Sequence, residues 1–147
     1  MPLERVTQQF KDISMSFQSN PLTNDLIALK NASAIARSIR NIVFTQPGEK
    51  FFNPNFGSRV SESLFDNVDN TSADVIRDQI RSSIRNFEPR VNLLNVIVRP
   101  NFDFNEMNVT IEYEIIGIDI PPQQLILCYC RLDKCHLQIL QIWILTR

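Results

Sequence analysis

Glycine, histidine and cysteine are scarce in this sequence of 147 residues or confined to one part of it. Only three glycines occur, Gly48, Gly57 and Gly117, and they lie too far apart to form a glycine-rich phosphate-binding loop. P-loop and dinucleotide-binding folds are therefore excluded. The only histidine, His136, follows all of the predicted regular structure, so the sequence indicates no Ser-His-Asp or Cys-His catalytic set.

The sequence also lacks an excess of one charge and a long apolar run. Fifteen basic and sixteen acidic side chains give a net charge of −1, which argues against a protein that neutralises nucleic-acid phosphates. No apolar stretch approaches the ~20 residues of a membrane span, and the first residues lack the apolar region of a signal peptide. We therefore expect a soluble chain made in a cytoplasm, with neither nucleic acid nor membrane as a partner.

The three cysteines and the histidine lie close together near the end of the sequence, at Cys128, Cys130, Cys135 and His136. Thiolates and imidazoles are the ligands of structural zinc, so this cluster raises a zinc hypothesis. The Cys-x-Cys spacing is tighter than the usual gap, and adjacent Cys and His residues would need a sharp bend to share one ion. We favour reduced thiols over a metal site, and predict no cofactor and no disulfide framework.

Hydrophobic periodicity predicts an α+β fold in one globular domain, with helices packed on a small, mostly antiparallel or mixed β-sheet. We divide the chain into an N-terminal arm and hairpin (1–30), a core (31–120) and a C-terminal strand and tail of atypical composition (121–147). The predicted helices cover 31–44, 58–65 and 71–87. The predicted strands cover 13–17, 26–29, 91–99, 107–118 and 125–130.

The helix over 71–87 has the clearest pattern. Apolar residues recur along one face, and Thr71 with Asp74 resembles a capping box at its start. Pro89 disfavours the helical conformation for Glu88, so the helix ends there. For the helix over 31–44, Asn31 or Ser33 is the expected cap.

Two sets of side chains in this region are candidates for function. Glu88 is the sharpest candidate acid, but we favour pairing with Arg85, Arg90 or a partner's arginine, because no second carboxylate is marked out. Arg77, Arg81 and Arg85 form a stripe on the helix, and Asp74 and Asp78 are spaced to pair with Arg77 and Arg81. A self-paired face or a protein interface is therefore favoured over a phosphate site.

The loop before the short helix is rich in phenylalanine. Phe51, Phe52 and Phe56 surround Asn53 and Pro54 within six residues. They either anchor the loop to the core or present a surface to a partner, and the pattern alone favours the anchor.

Several blocks occur in an order that resembles a known family. They comprise the helical segment 34–43, Pro-Gly-Glu-Lys at 47–50, Phe-Asn-Pro-Asn-Phe-Gly-Ser at 52–58, Leu-Phe-Asp-Asn at 64–67, and 80–90, which ends in Asn-Phe-Glu-Pro-Arg. This order is similar to the small baseplate wedge proteins of contractile-tailed phages, a family shared with the lysozyme-like baseplate component of type VI secretion systems. The resemblance covers roughly 12–118, and the segment 12–25 is more similar to the phage members.

The resemblance implies a structural role in the tail baseplate of a virion that is assembled in the host cytoplasm. It implies about six copies in a ring, contacts with baseplate wedge proteins, the tail sheath and tube or hub proteins, and initiation of the sheath. The sheet would imitate part of a sheath subunit and accept sheath strands by β-augmentation, with 107–118 and the tail strand as the edges. The expected partner-binding residues are Glu88, Pro89, Arg90, Arg85, Arg81, Phe52, Asn53, Pro54 and Phe56.

The "lysozyme-like" label of the family raises peptidoglycan hydrolysis as an alternative. Glycoside hydrolysis needs two carboxylates in defined positions, and no such pair is identifiable among the sixteen acids. We therefore expect no enzymatic activity.

Overall fold

A two-stranded hairpin, three helices and a three-stranded sheet follow one another along the chain. A computed structural model describes residues 10–13, 17–22, 24–63, 67–104, 106–118 and 120–130. The strands of the hairpin are β1 (Lys11–Ile13) and β2 (Ala28–Lys30), and the helices are α1 (Ala32–Phe44), α2 (Val60–Ser63) and α3 (Asn70–Phe87). The sheet contains β3 (Val91–Asn101), β4 (Glu106–Ile115) and β5 (Gln123–Cys130). The α+β prediction is confirmed.

The sheet is antiparallel, with the order β3-β4-β5. The prediction that the second long strand is a sheet edge was wrong, because β4 pairs with β3 on one side and with β5 on the other. Within the described residues the outer strands are β3 and β5. The predicted stop before Pro100 was also wrong, because β3 continues through Pro100, which pairs with Met107. An outer strand tolerates proline where its missing N–H is not needed for the ladder.

One core joins the helices to the sheet. Alternate residues of β4 point inward, and the isoleucine stripes of α1 and α3 pack over them. Fully burying each such side chain stabilises the fold by ~1.5–3 kcal/mol. The buried members include Ile35, Ile39, Ile76, Ile80, Ile84, Val109, Ile111 and Tyr113.

The predicted cap position is confirmed for α1 but was wrong for α3. The cap of α3 is Asp69, whose side chain accepts a hydrogen bond from the Ser72 N–H at 2.6 Å, so the helix begins before the predicted Thr71. Asn31 occupies the cap position of α1, but its side chain makes no capping bond and accepts from the Phe10 N–H at 3.3 Å instead. Asn31 N–H in turn donates to the Phe10 carbonyl at 2.8 Å, so Asn31 ties the N-terminal segment to the start of α1.

The N-terminal elements are described only in part. The strand predicted over 13–17 is observed as β1, which begins at Lys11, while residues 14–16 lie outside the described part. The start of the predicted N-terminal arm also lies outside it, up to residue 9. No helix in the described part of the chain is long and apolar enough to cross a membrane.

Candidate partner-binding site

The turn from α3 into β3 brings together residues from distant parts of the chain. Glu88 ends α3, and its N–H still donates to the Ile84 carbonyl at 2.9 Å. Pro89 follows and keeps Glu88 out of the helical region, with φ −126° and ψ 78°. β3 begins two residues later, so the Glu88 and Arg90 side chains are held next to each other between the helices and the sheet.

The Glu88 carboxylate is buried, with only 2% of the residue exposed. Arg90 approaches it as a fork, donating from Nε to Oε1 at 2.5 Å and from Nη2 to Oε2 at 2.7 Å. The Ser38 hydroxyl on α1 donates to Oε2 at 2.5 Å. A buried charge needs this kind of compensation, and paired N–H bonds to a carboxylate are among the strongest hydrogen bonds in proteins. The cluster therefore fastens α1 to the α3–β3 turn.

The pKa of Glu88 reflects two opposing effects. Burial raises the pKa of the carboxyl, but hydrogen bonds from Arg90 and Ser38 and the charge of Arg90 outweigh burial and hold the pKa below its usual value. The carboxylate form is therefore the stable one in the folded protein.

Arg90 keeps part of its guanidinium at the surface, with 38% of the side chain exposed. The Phe10 ring lies over it, with 5.3 Å between the guanidinium carbon and the ring centre. The hydrogen bonds to Glu88 raise the pKa of Arg90 against the opposing effect of burial, and the charge of Asp12 raises it further. Arg90 is thus a fixed cation that links the internal cluster to the N-terminal segment and to solvent.

Of the three partners expected for Glu88, the structure shows Arg90 of the same chain. The structure does not place the Glu88 carboxylate where a neighbouring subunit could contact it, because all of its bonds lie inside the fold. Of the Glu-Pro-Arg triplet, Pro89 and Arg90 have surface for a partner.

The loop between α1 and α2 is held in one conformation by its own backbone. Gly57 has φ +120°, and a Cβ there would lie 2.3 Å from the Thr45 carbonyl oxygen, so only glycine fits. Gly48 N–H donates to the Pro54 carbonyl at 2.8 Å, and the buried Ser58 hydroxyl donates to the Val43 carbonyl at 2.6 Å.

The phenylalanines of this loop divide into two groups. Phe56 packs against Phe87 at the end of α3, with ring centres 5.0 Å apart, and Lys50 Nζ lies 4.2 Å above the Phe56 ring. Phe51 and Phe52 are 96% and 100% exposed. The prediction of core anchoring was therefore wrong for Phe51 and Phe52, and the alternative of a surface offered to a partner fits them.

A polar groove lies between α1 and this loop. Two of the residues that line the groove also belong to the contacts described above, because Phe56 packs on Phe87 and Ser38 binds Glu88. Its lining residues are Asp12, Ser38, Asn41, Thr45, Glu49, Lys50 and Phe56.

The arginine stripe of α3 is only partly self-paired. Arg77 contacts Asp74 at 2.9 Å, as predicted, and also Asp78 at 3.7 Å. The predicted pair between Asp78 and Arg81 was wrong. Arg81 and Arg85 form no ion pair with any other described residue, which leaves two cations on the helix beside the site.

The zinc hypothesis concerns residues that lie largely outside the described part. Cys128 is exposed on β5, whereas Cys135 and His136 lie beyond residue 130. Among the described residues no three metal-ligating side chains come together.

The family model described as "Baseplate wedge protein gp25" matches residues 30–119, from the start of α1 past the end of β4. The chain belongs to this family. The residues matched by the gp25 family include Ser38 on α1, Glu88 and Arg90 in the α3–β3 turn, and the aromatic loop.

Individual relatives agree with the family match. The chain is 36% identical over 83 residues to the baseplate wedge protein gp25 of Enterobacteria phage T4, covering 56% of this chain and 63% of that protein's length. A Geobacter sulfurreducens protein described as a tail lysozyme has a similar structure, with a TM-score of 0.64 at 25% identity, covering 74% and 98% of the two chains. A chain in the anti-feeding prophage baseplate shares the fold, with a TM-score of 0.66 at 22% identity and coverage of 76% and 89%.

Two members of the site were missed from the sequence. Ser38 lies 50 residues before Glu88, and a serine on a helix carries no spacing signal that predicts such a contact. Phe10 precedes the first predicted strand in a polar segment, and its approach to Arg90 depends on the hairpin that returns the chain to α1.

Proposed function

We propose that this protein is a structural component of a contractile-tail baseplate, which joins wedge proteins to the tail within the virion. The observation that carries the proposal is the Glu88 cluster, which lies inside the matched region. Its carboxylate accepts two hydrogen bonds from Arg90 and so holds this partly exposed side chain in place. A fixed, partly exposed guanidinium is suited to bidentate recognition of a carboxylate on a neighbouring protein.

The partner surface combines Arg90 with the aromatic loop. Phe51 and Phe52 supply apolar contact area on a loop that is already ordered, so little conformational entropy is lost on binding. Asn53 and Pro54 belong to the same loop, and Arg81 and Arg85 extend the surface along α3. The partners are other baseplate wedge proteins, in a ring of about six copies if the protein follows closed ring symmetry.

We also propose that the sheet initiates the sheath by accepting an added strand, and that β5 is the accepting edge. The β3 edge is unsuited to continuous pairing, because a bulge lies between Leu93 and Asn95 and Pro100 has no N–H to donate. β5 pairs with β4 in unbroken register over its full length. Strand addition needs a regular outer strand, and among the described residues β5 is the outer strand on that side of the sheet.

The experiment that tests the wedge role compares Arg90→Lys with Arg99→Lys in contractile particles from the source. Arg90→Lys keeps the charge but loses the fork to Glu88 and to a partner, whereas exposed Arg99 lies on β3 outside the site. We expect Arg90→Lys to give tails without attached sheath or wedge components, although the purified protein remains folded by circular dichroism. Normal contractile particles with Arg90→Lys would contradict the proposal.

Peptidoglycan hydrolysis is disfavoured by the chemistry of Glu88. A glycosidase acid needs a raised pKa so that it holds a proton near neutral pH, and the pKa of Glu88 is lowered. We expect purified protein to give no clearing in a peptidoglycan zymogram. Clearing that Glu88→Gln abolishes would overturn this conclusion.

A further inference from the structure

The N-terminal segment reaches the guanidinium of Arg90 from outside the core. The Phe10 ring lies over this group at 5.3 Å and packs, partly buried, against the core. Asp12 lines the same groove as Ser38, whose hydroxyl accepts a hydrogen bond from Arg90 Nη2 at 3.3 Å. The charge of Asp12 acts on Arg90, but no ion pair joins these two described residues. A ring and a carboxylate of one short segment thus approach the cation that we assign to a partner.

This segment belongs to a hairpin that is only loosely packed on the rest of the protein. β1 and β2 form a sheet of their own, and all of their residues except Leu29 are exposed. A hairpin of two strands is at best marginally stable by itself in water. The other large apolar side chains of this hairpin include Ile13, Phe17 and Leu22, which are all mostly exposed and gain little from burial. The contacts of Phe10 are therefore the main link between the hairpin and the Glu88 cluster.

Asn31 is the point at which the hairpin joins α1. Its N–H donates to the Phe10 carbonyl at 2.8 Å, and its side-chain oxygen accepts from the Phe10 N–H at 3.3 Å. The backbone at Asn31 has φ +48°, a conformation that asparagine adopts more readily than most residues. Breaking the two bonds to Phe10 would free the segment without changing any contact inside the core.

The position of Phe10 decides how much of Arg90 a partner can reach. With the ring in place, 38% of the Arg90 side chain is exposed. A partner's carboxylate therefore competes with the ring for the guanidinium and with Asp12 for its charge. A contact between a cation and a ring changes an equilibrium constant by a factor of roughly 2 to 30. A contact of that size limits access but can be broken when a stronger one replaces it.

We propose that the segment 10–12 is an autoinhibitory strap, which closes over Arg90 in the free protein and moves away about Asn31 when a partner's carboxylate binds. The family match begins at residue 30, so it contains Arg90 and the hinge but not the strap. The binding group and its cover are thus separate parts of the chain. This inference rests on the proposed contact of Arg90 with a wedge protein, and it adds a means of regulating that contact.

The first test measures access to Arg90 in the free, full-length protein. Phenylglyoxal, which reacts with accessible guanidinium groups, is the probe, and mass spectrometry follows its adducts at Arg90 and at Arg99, an exposed arginine on β3 outside the site. We expect Phe10→Ala to raise the reaction rate at Arg90 by ~3-fold or more and to leave the rate at Arg99 unchanged. A smaller increase at Arg90, or an equal increase at Arg99, would overturn the strap.

Amide hydrogen exchange shows whether the strap itself opens. The Asn31 N–H is bonded to the Phe10 carbonyl, so its exchange should become ~3-fold faster or more in Phe10→Ala. Unchanged exchange at Asn31 would mean that the ring was removed while the strap stayed closed, which would contradict the proposal. Phe17→Ala is the matched control, because it removes the same ring from an exposed position of the same hairpin. An effect of this control equal to that of Phe10→Ala would also contradict the proposal.

The second test measures competition for the baseplate. Wild type and Phe10→Ala are produced in equal amounts in the source, and quantitative mass spectrometry gives their ratio in purified particles. A protein whose binding-competent state is only partly populated binds more weakly by that fraction, so Phe10→Ala should exceed wild type by ~3-fold or more. A smaller excess, or an excess of wild type, would overturn the strap. Absence of both chains from the particles would overturn the proposed function instead, and the reaction at Arg90 would still decide whether the strap closes.

Discussion

The α3–β3 turn and the α1–α2 loop reverse the usual distribution of polarity in opposite ways. At the turn a carboxylate, Glu88, is almost fully buried, while in the loop Phe52 is fully exposed. Most proteins bury phenylalanine and leave glutamate in water. Both reversals lie within the same family match, over residues 30–119, which fits the partner surface proposed for this region.

The two reversals are stabilised by different means. Glu88 is stable in the interior because three hydrogen bonds from Ser38 and Arg90 replace those that water would make. These donors are placed to fit a carboxylate at this position, so other side chains should be tolerated poorly. Phe52 gains nothing from its surroundings, and its position is set by backbone bonds and by the Gly57 close approach. Substitutions should therefore destabilise the fold at the turn and at the loop glycine, but not at the exposed ring.

The largest effect is expected from Gly57→Ala. The added Cβ would meet the Thr45 backbone oxygen at 2.3 Å, and φ +120° is strained for any L side chain. Together these effects should lower the free energy of unfolding by about 3 kcal/mol, measured by urea denaturation. Gly48→Ala is the control, because a Cβ there meets nothing within 4 Å and only its φ of +98° is strained, which should cost about 1 kcal/mol. Equal losses would show that the Thr45 contact does not hold the loop.

A somewhat smaller loss is expected from Glu88→Ala. The change leaves the Arg90 fork and the Ser38 hydroxyl without their acceptor, which should lower the free energy of unfolding by about 2–3 kcal/mol. Asp78→Ala removes an exposed carboxylate 3.7 Å from Arg77 and should cost less than ~0.5 kcal/mol in the same denaturation experiment. A loss below 1 kcal/mol for Glu88→Ala would mean that the buried pair contributes no more than a surface pair.

The pH dependence of the free energy of unfolding should also reveal the pairing of Glu88 with Arg90. Since the pKa of Glu88 is lowered in the folded state, its contribution is fully present above the ordinary carboxyl value of 4.5. The contribution is lost as the pH falls through the lowered folded value. Glu88→Gln removes this titration, so the difference in free energy of unfolding between wild type and variant should shrink in acid. A constant difference from neutral pH into that range would contradict the assigned pairing.

The sequence predicted the layers of the fold because they depend on local patterns. The isoleucine spacing of α1 and α3 and the alternation of β4 are visible within one element. The strand order was not predicted correctly, because whether β4 is an edge depends on where β5 returns after Pro121 and Pro122. The observed pairing places β5 on the open side of β4. The Asp69 cap was missed by two residues, since Thr71 with Asp74 satisfies the same sequence pattern.

The candidate site was predicted in part. Arg90 was one of three partners expected for Glu88, and the sequence could not choose between Arg90, Arg85 and an arginine of another protein. Whether each of the three loop phenylalanines is packed or exposed depends on which of them faces α3. A loop has no regular periodicity from which the facing residue could be predicted. The Phe56–Phe87 contact is therefore visible only in the structure.

The smallest expected effect on stability comes from Phe52→Ser, and it separates function from folding most clearly. A fully exposed side chain contributes no burial, so the free energy of unfolding should stay within ~0.5 kcal/mol of wild type. Phe56→Ser in the same loop should cost about 2 kcal/mol, because it removes the packing on Phe87. If the exposed ring serves a partner, Phe52→Ser should nevertheless reduce incorporation of the protein into particles, measured by quantitative mass spectrometry. Normal incorporation would leave the exposed ring without a role at this surface.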